Sequence, residues 1–324
     1  MRLLFSAILS IALAAGAHAS DQKSKKDDTA KIGDRDVGKC LNFYSIDKEM
    51  AWGKQLADEV ARESKIDDDP ILSEYVNRVG QNLVRNSDAK VPFTFRVIDG
   101  DELNAFALPG GYVFVYTGLI KLASEEDEFA GALAHEIAHV AARHMTCRAS
   151  EQQLAKAAGI VPSILLGPLG GWAARQAANV AIPMTFLSFS RHDESEADYL
   201  GVQYMYAAGY DPTCAVSILE KLDALQKTQP GAVARVLATH PMDSDRINKA
   251  EQEIQRILPA RAEYVVTTSE YTEVRERLIV RDAGRKAKDA NHPVLRKRPG
   301  DGKVDDPDAQ SSDDRPTLKK HDLN

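Results

Sequence analysis

The sequence has few cysteines, few aromatic residues and no excess of basic charge. Only three cysteines occur among 324 residues, none in C-x-x-C spacing, so a cysteine-ligated zinc site is not indicated. Aromatic residues make up 6 % and the formal net charge is −7, without a basic patch carrying interleaved aromatics, which argues against nucleic acid as the main partner. No internal repeat occurs, in particular no 34-residue helical repeat. The overall composition, with 44 % hydrophobic and 27 % charged residues, is typical of a soluble globular protein.

The N-terminal residues have the layout of a secretory signal peptide. Arg2 precedes a short apolar run, residues 3–15, and Ala17-His18-Ala19 is a small-x-small cleavage site. The run is short for a membrane span, although an uncleaved anchor is the alternative. We therefore predict a signal peptide at residues 1–19 and a periplasmic or secreted protein.

The rest of the chain divides by composition into three parts. Residues 20–40 are polar and charged and predict a flexible leader. Residues 41–280 carry the periodic apolar patterns of one folded domain, and residues 281–324 are so poor in apolar side chains that we predict a disordered charged tail. The sequence does not indicate an oligomeric state.

An oxidising compartment would permit one disulfide and leave one thiol. The candidates are Cys40, Cys147 and Cys214, and the sequence leaves their pairing open.

Residues 157–190 are almost free of charge but are interrupted by glycine and proline. No stretch of about 20 strongly apolar residues survives there, so we predict short buried helices and loops near the functional site. Peripheral membrane contact through this segment is the alternative.

Periodicity predicts a mainly helical α+β domain. Helices are expected from about residue 45, from Pro70 after an Asp69 cap, over 124–147, over 193–208 with Gly209 as the closing residue, from residue 211, and over 243–258. Strands are expected over residues 92–98 and 112–116, with a last strand at 265–266 followed by a short helix.

The pentapeptide His135-Glu136-Ile137-Ala138-His139 is the strongest chemical signal. Four-residue spacing on a helix places both imidazoles on one face, about one turn apart. Two such nitrogens suit one zinc ion, with Glu136 placed as a general base toward water. A structural helix in which the histidines merely pack is the alternative.

A catalytic zinc usually has three protein ligands, so a third is needed. We predict Glu194, with Asp198 on the same helical face supporting a ligand histidine by hydrogen bonding. Glu196 is predicted to be a solvated surface acid and His192 a polar helix-start residue. His144 either helps to orient the site or is a cation at the helix end.

The combined motifs resemble peptidase family M48. These motifs are His-Glu-x-x-His, then Glu-x-x-Ala-Asp at 194–198, flanked by Asn-Ala-Phe-Ala-Leu-Pro-Gly-Gly at 104–111 and by His240-Pro241 with Arg246-Ile247 downstream. They occur in the family's order, and the resemblance spans residues 46–278. It implies a zincin-like metalloprotease fold of the gluzincin type, with a small antiparallel or mixed sheet beside the metal helix.

The resemblance also implies roles for individual residues. His135, His139 and Glu194 would bind one zinc ion per chain, with Glu136 as the general base. His240 matches a histidine that can approach the zinc and hold the site closed, and it is also our candidate donor to the developing oxyanion, with Arg246 a weaker one. The segment Tyr112, Val113, Phe114 and Val115 matches the edge strand on which an extended substrate would lie.

The expected function is that of a secreted zinc endopeptidase that cleaves misfolded or damaged envelope proteins. Binding through backbone hydrogen bonds would tolerate many sequences and favour unfolded segments. The alternative is an assembly or quality-control factor for outer-membrane proteins, with latent protease activity behind His240.

Overall fold

A three-stranded sheet lies beside the helix that carries His135 and His139, in a computed structural model that describes residues 27–157, 188–242 and 244–290. The predicted signal peptide, nearly all of residues 157–190 and the tail beyond residue 290 lie outside these ranges. Residues up to Arg281 form one compact unit, and those from Asp282 belong to a second.

The helices are mostly those that the periodicity predicts. In chain order they are α1 (Ile46–Glu63), α2 (Pro70–Arg85), α3 (Thr117–Leu122), α4 (Glu126–Ala141), α5 (His144–Ala157), α6 (Arg191–Ala208), α7 (Thr213–Thr228), α8 (Pro230–Thr239), α9 (Ser244–Ile257) and α10 (Ser269–Ala290). Among the described residues, no helix combines the length and apolarity needed to cross a membrane.

Local capping explains where several helices begin and end. The Asp69 carboxylate accepts a hydrogen bond from the Ile71 amide, and Pro70 occupies the first turn of α2. Ser190 and Asp193 form a reciprocal capping box at the start of α6. Gly209 ends α6 with φ of 94°, a left-handed conformation that glycine adopts without steric cost.

The sheet is mixed and has the strand order β1-β3-β2, with β1 at Thr94–Ile98, β2 at Ala105–Leu108 and β3 at Tyr112–Tyr116. Strand β3 pairs in parallel with β1 and antiparallel with β2. The prediction that Tyr112 to Val115 form an edge strand is therefore wrong, because the backbone on both sides of β3 is already hydrogen-bonded. The strand beside α4 that has a free edge within the described residues is β2.

The core is formed by the buried faces of α2, α4 and α6 against the sheet. Tyr75, Phe129 and Tyr271 contact one another through their rings, with centroids 5.8–6.3 Å apart, and all three are fully buried. This packing holds α4, and with it the histidine pair, at the centre of the domain.

The predicted single helix over residues 124–147 is broken at Arg143. Helix α4 ends at Ala141, and Arg143 has φ of 59°, which is unusual for a residue other than glycine. Its guanidinium donates to a Glu49 carboxylate oxygen at 2.7 Å and to the Tyr44 carbonyl at 2.6 Å. These contacts with distant residues explain why local periodicity did not predict the break.

The start of α4 also differs in detail from the prediction. Glu125, not Ser124, is the N-cap residue, and it makes no side-chain capping bond. The Ser124 backbone amide instead donates to the Glu128 carboxylate at 2.7 Å.

The predicted flexible leader does not extend to residue 40. Arg35 is 6 % exposed and forms an ion pair with Asp88 at 2.5 Å, and its guanidinium also donates to the Gln203 side chain. Asp27 is buried and accepts a hydrogen bond from the Tyr199 hydroxyl. Asp27 and Arg35 thus contact α6, and Arg35 also contacts the segment that follows α2.

Cys40 and Cys147 form the disulfide whose pairing the sequence left open, and Cys214 remains a thiol. Because the two cysteines are 107 positions apart, the bridge strongly lowers the conformational entropy of the unfolded chain. It is expected to stabilise the folded protein by roughly 2–5 kcal/mol. Burial raises the pKa of the Cys214 thiol to about 12, which makes it unreactive near neutral pH.

Two predictions for the C-terminal part are wrong. Residues 265–266 do not form a strand; the Val265 amide instead donates to the Gly209 carbonyl at 2.8 Å. The helix after them is long and continues to Ala290, so it includes the first ten residues of the predicted tail. Helix α8, before His240, was not predicted.

Candidate metal centre

Four side chains from three parts of the chain meet at one point. His135 and His139 come from α4, Glu194 from the first turn of α6, and His240 from the residue that ends α8. One potential ligand atom from each lies within 4.8 Å of those of the others. The structure thus brings together three predicted ligands and the predicted covering histidine.

The two helix α4 histidines direct the same nitrogen toward the cluster. Their Nε2 atoms lie 3.0 Å apart, because a four-residue step returns to the same face after about one turn. The His139 side chain is 2 % exposed and that of His135 is 15 % exposed, so solvent reaches the pair from the side of His135.

Glu194 completes the set with a carboxylate. Its Oε2 lies 3.4 Å from His135 Nε2 and its Oε1 lies 3.4 Å from His139 Nε2, and the residue is fully buried. Two imidazole nitrogens and one carboxylate are the donor types that catalytic zinc sites use. The donor set therefore fits a divalent metal ion.

His240 lies between the candidate ligands and Glu136. Its Nδ1 is 3.0 Å from Glu194 Oε1 and 3.3 Å from His135 Nε2, whereas its Nε2 is 3.4 Å from Glu136 Oε1. The ring is 6 % exposed. This position suits either a fourth donor that covers the centre or a hydrogen-bond donor to a reacting group.

Glu136 projects beside the cluster and is 3 % exposed. Burial raises the pKa of its carboxyl, with His240 and His135 opposing that effect. A general base is most effective when its pKa approaches the operating pH, so this environment suits proton transfer.

Behind His135, Asp198 and Arg246 hold the site together. His135 Nδ1 lies 2.9 Å from Asp198 Oδ1, the contact predicted for Asp198. Arg246 binds both Asp198 oxygens at 2.7 Å, and its Nη1 lies 2.8 Å from Glu194 Oε2. Its guanidinium therefore orients two carboxylates, which leaves it badly placed for the oxyanion role considered from the sequence.

The electrostatics of the site favour positive charge. Burial opposes ionisation of Asp198, yet Arg246 and His135 bring the pKa of that carboxyl below its usual value. Burial likewise opposes protonation of His135, but Asp198 and Glu194 raise its pKa to about 10. Two buried carboxylates thus attract a cation to the point where the histidines converge.

The sequence offered His144 as a residue that orients the site or as a helix-end cation, but it did not identify the partners in three contacts around His139. His144 Nδ1 lies 2.9 Å from His139 Nδ1, and His144 Nε2 lies 3.2 Å from Glu196 Oε2. The Phe189 ring stacks on the His139 ring with centroids 3.8 Å apart. The prediction of Glu196 as a solvated surface acid is wrong, because its side chain is only 13 % exposed. His192, in contrast, is 86 % exposed, as expected for a helix-start residue.

An apolar pocket adjoins the centre. His135, Glu136 and His240 line it, together with Leu103 and Asn104 before β2 and Ala105 at the start of β2. Aliphatic side chains line most of the remainder, including Leu219, Leu222, Val236 and Leu237. The pocket can therefore accept an apolar side chain next to Glu136.

Comparison with known proteins agrees with this geometry. The model of peptidase family M48 matches residues 70–254, more than half of the chain. The chain is 33 % identical over 265 residues to the β-barrel assembly-enhancing protease of Yersinia pestis, covering 79 % of this chain and 53 % of that protein.

Two further relatives have a similar sequence identity to this chain. The β-barrel assembly-enhancing protease of Escherichia coli K12 is 34 % identical over 225 residues, covering 66 % of this chain and 45 % of the relative. The mitochondrial metalloendopeptidase OMA1 of Schizosaccharomyces pombe is 34 % identical over 183 residues, covering 55 % and 52 %. The chain thus spans about half the length of the curated relatives that it matches.

Proposed function

The chain belongs to peptidase family M48, and from this premise we propose that it is a zinc-dependent endopeptidase that cleaves misfolded or damaged proteins of the cell envelope. The observation that carries the proposal is the convergence of His135, His139 and Glu194 with Glu136 beside them. The names of the relatives, a protease and a metalloendopeptidase, support the same reaction.

We assign His135, His139 and Glu194 as the residues that hold one zinc ion. The two imidazole nitrogens beside one carboxylate support zinc over a hard cation that needs oxygen ligands alone. Zinc in such a site acts as a Lewis acid toward a carbonyl oxygen and lowers the pKa of water.

The chain's own residues supply the proton transfers and the orientation. Glu136 accepts a proton from the attacking water and delivers it to the leaving amine. His240 Nε2, 3.4 Å from Glu136 Oε1, is placed to donate a hydrogen bond to the carbonyl oxygen as charge develops there. Asp198 keeps the Nδ1 side of His135 occupied, so that Nε2 faces the cluster.

We propose β2, not β3, as the strand on which substrate lies. Strand β2 is an outer strand of the sheet and contacts α4, and the Ala107 backbone makes a hydrogen bond with Glu136. An extended peptide that adds to this edge would be held mainly by backbone hydrogen bonds, so the site would prefer unfolded segments over particular sequences. The adjoining apolar pocket would favour an apolar side chain near the scissile bond.

We propose a periplasmic or secreted location. The signal-peptide pattern of residues 1–19 supports it, and so does the Cys40–Cys147 disulfide, because disulfides persist in oxidising compartments. Peripheral membrane contact through residues 157–190 stays a prediction.

Metal removal tests the proposed reaction. Mature protein is expected to contain about one zinc per chain and to cleave casein; a chelator should abolish cleavage, and added Zn²⁺, but not Mg²⁺, should restore it. Zinc content by elemental analysis and casein fragmentation by gel are the measurements. Casein cleavage that survives complete zinc removal would refute the assignment.

The position of His240 supports a second candidate function: an assembly or quality-control factor for outer-membrane proteins whose protease activity is latent. Its ring covers the cluster on the side of Glu136, and two relatives are named assembly-enhancing proteases. In this case the open state would be a minor one, of roughly 0.1–10 % of molecules.

His240→Ala separates the two candidates. If the ring mainly covers the site, the variant should cleave casein about tenfold faster or more than wild type, because the minor open state becomes the major one. If the ring donates to the oxyanion, cleavage should fall by about 10²–10³-fold. His192→Ala removes an exposed histidine and serves as the control. No casein cleavage by either wild type or His240→Ala would contradict the endopeptidase proposal itself.

A further inference from the structure

A second line of side chains lies behind His139 and has no place in the mechanism described above. It runs from His139 Nδ1 to His144 Nδ1 at 2.9 Å, and from His144 Nε2 to Glu196 Oε2 at 3.2 Å. The side chains of His144 and Glu196 are 4 % and 13 % exposed. Buried polar groups in this arrangement need matched donors and acceptors.

The direction of each hydrogen bond follows from the role of His139. Its Nε2 faces His135 Nε2 and Glu194 Oε1, so as a metal ligand it carries no proton on Nε2 and a neutral ring is protonated on Nδ1. Nδ1–H then donates to His144 Nδ1. His144, accepting at Nδ1, carries its own proton on Nε2 and donates it to the Glu196 carboxylate. One donor and one acceptor meet at each contact.

We propose that His144 and Glu196 are positioning residues that fix the tautomer and ring orientation of His139, as Asp198 does for His135. The proposal rests on the proposed zinc site. Each helix α4 histidine would then be oriented by a carboxylate of α6: Asp198 directly and Glu196 through an intervening imidazole.

The break in the helix at Arg143 makes this line possible. In a continuous α-helix, residues five positions apart lie about 140° apart around the axis, so their side chains do not meet. The left-handed Arg143 turns the chain between α4 and α5 and brings His144 back onto His139. The unusual backbone at Arg143 thus has a consequence at the metal centre.

Stacking of the Phe189 ring on His139 does not replace the hydrogen bonds through His144 and Glu196. The ring contacts the face of His139 with an interplanar angle of 22°, which restrains the plane of the imidazole. An apolar ring accepts no proton from Nδ1, however, so it leaves the tautomer undetermined.

Zinc affinity tests the proposal without reference to protease activity. Dissociation constants are measured by competition with a chromophoric chelator at fixed pH for wild type, His144→Ala, Glu196→Ala, Glu196→Gln and His192→Ala. We expect His144→Ala and Glu196→Ala to bind zinc about 10–100-fold more weakly. Glu196→Gln keeps an acceptor oxygen for His144 Nε2–H and should restore most of the affinity, and the exposed control His192→Ala should match wild type.

Histidine tautomers provide a readout that a merely structural role would not produce. Two-bond ¹H–¹⁵N spectra of the zinc-loaded wild type should show His139 protonated on Nδ1 and His144 on Nε2. In zinc-loaded Glu196→Ala, the His144 signal should shift toward a mixture of tautomers. Circular dichroism before zinc addition checks that each variant is folded, and Glu196→Ala carries the test if His144→Ala is not.

The possible failures are distinguishable. Wild-type protein that binds no zinc would overturn both the proposed function and this assignment. Wild-type zinc binding that neither His144→Ala nor Glu196→Ala weakens would overturn the assignment alone, as would a zinc-loaded wild type in which His144 carries its proton on Nδ1.

Discussion

Glu136→Gln is expected to lower the rate of peptide-bond hydrolysis by about 10²–10⁴-fold while zinc content and fold stay unchanged. Glutamine has nearly the same size and shape as glutamate but cannot accept a proton at neutral pH. Because Glu136 is 3 % exposed and projects beside the cluster rather than into it, the substitution leaves the three proposed ligands in place. The lost step is the transfer of a proton from water to the leaving amine.

The measurement is casein cleavage at fixed zinc loading, with the melting temperature of each variant recorded. If His240 makes the wild type latent, the comparison is repeated in the His240→Ala background, where the base is uncovered. Glu74→Gln, on the exposed side of α2, makes the same chemical change away from the site and is the matched control. Equal casein cleavage by wild type and Glu136→Gln, with equal zinc, would show that Glu136 is not the base.

Glu194→Ala is expected to weaken zinc binding by more than about 100-fold, beyond the 10–100-fold that loss of an outer hydrogen-bond partner costs. The variant removes a proposed ligand that is fully buried. It also takes away one of the two carboxylates that neutralise Arg246, since Nη1 of that residue lies 2.8 Å from Glu194 Oε2. Removing one partner of a buried ion pair typically costs about 3–5 kcal/mol of folding stability.

Both effects are measured on the same samples. Zinc affinity comes from chelator competition, and stability comes from urea denaturation of zinc-free protein, so that the loss of an ion pair is not confused with the loss of bound metal. Glu220→Ala, at an exposed position of α7, is the control. Wild-type zinc stoichiometry and affinity in Glu194→Ala would remove Glu194 from the set of ligands.

Much of the site could be predicted because its spacing is a local property. His135 and His139 are one helical turn apart, and so are Glu194 and Asp198, which places each pair on one helix face without any knowledge of the fold. Family resemblance then related the two pairs to each other and to His240. The need for a third zinc ligand restricted the choice further.

Residues that act through another residue were harder to predict. Glu196 lies between two functional residues in sequence and points to His144, not to solvent. Arg246 was considered as an oxyanion donor, yet it holds Glu194 and Asp198. The sequence does show a histidine five residues after His139 and an arginine six residues after His240. Neither spacing, however, indicates which side chain the residue contacts.

The sequence by itself determined the two helices that carry His135, His139 and Glu194 and the side chains on their faces, because helical periodicity, capping and first-turn charge act over a few neighbouring residues. Only the tertiary structure decided that β3 is central and β2 an outer strand of the sheet, that Cys40 pairs with Cys147, and that Arg143 turns His144 back toward His139. Strand order and disulfide pairing depend on contacts between residues far apart in the chain. The Arg143 turn depends likewise on Glu49 and Tyr44, which lie more than 90 residues earlier.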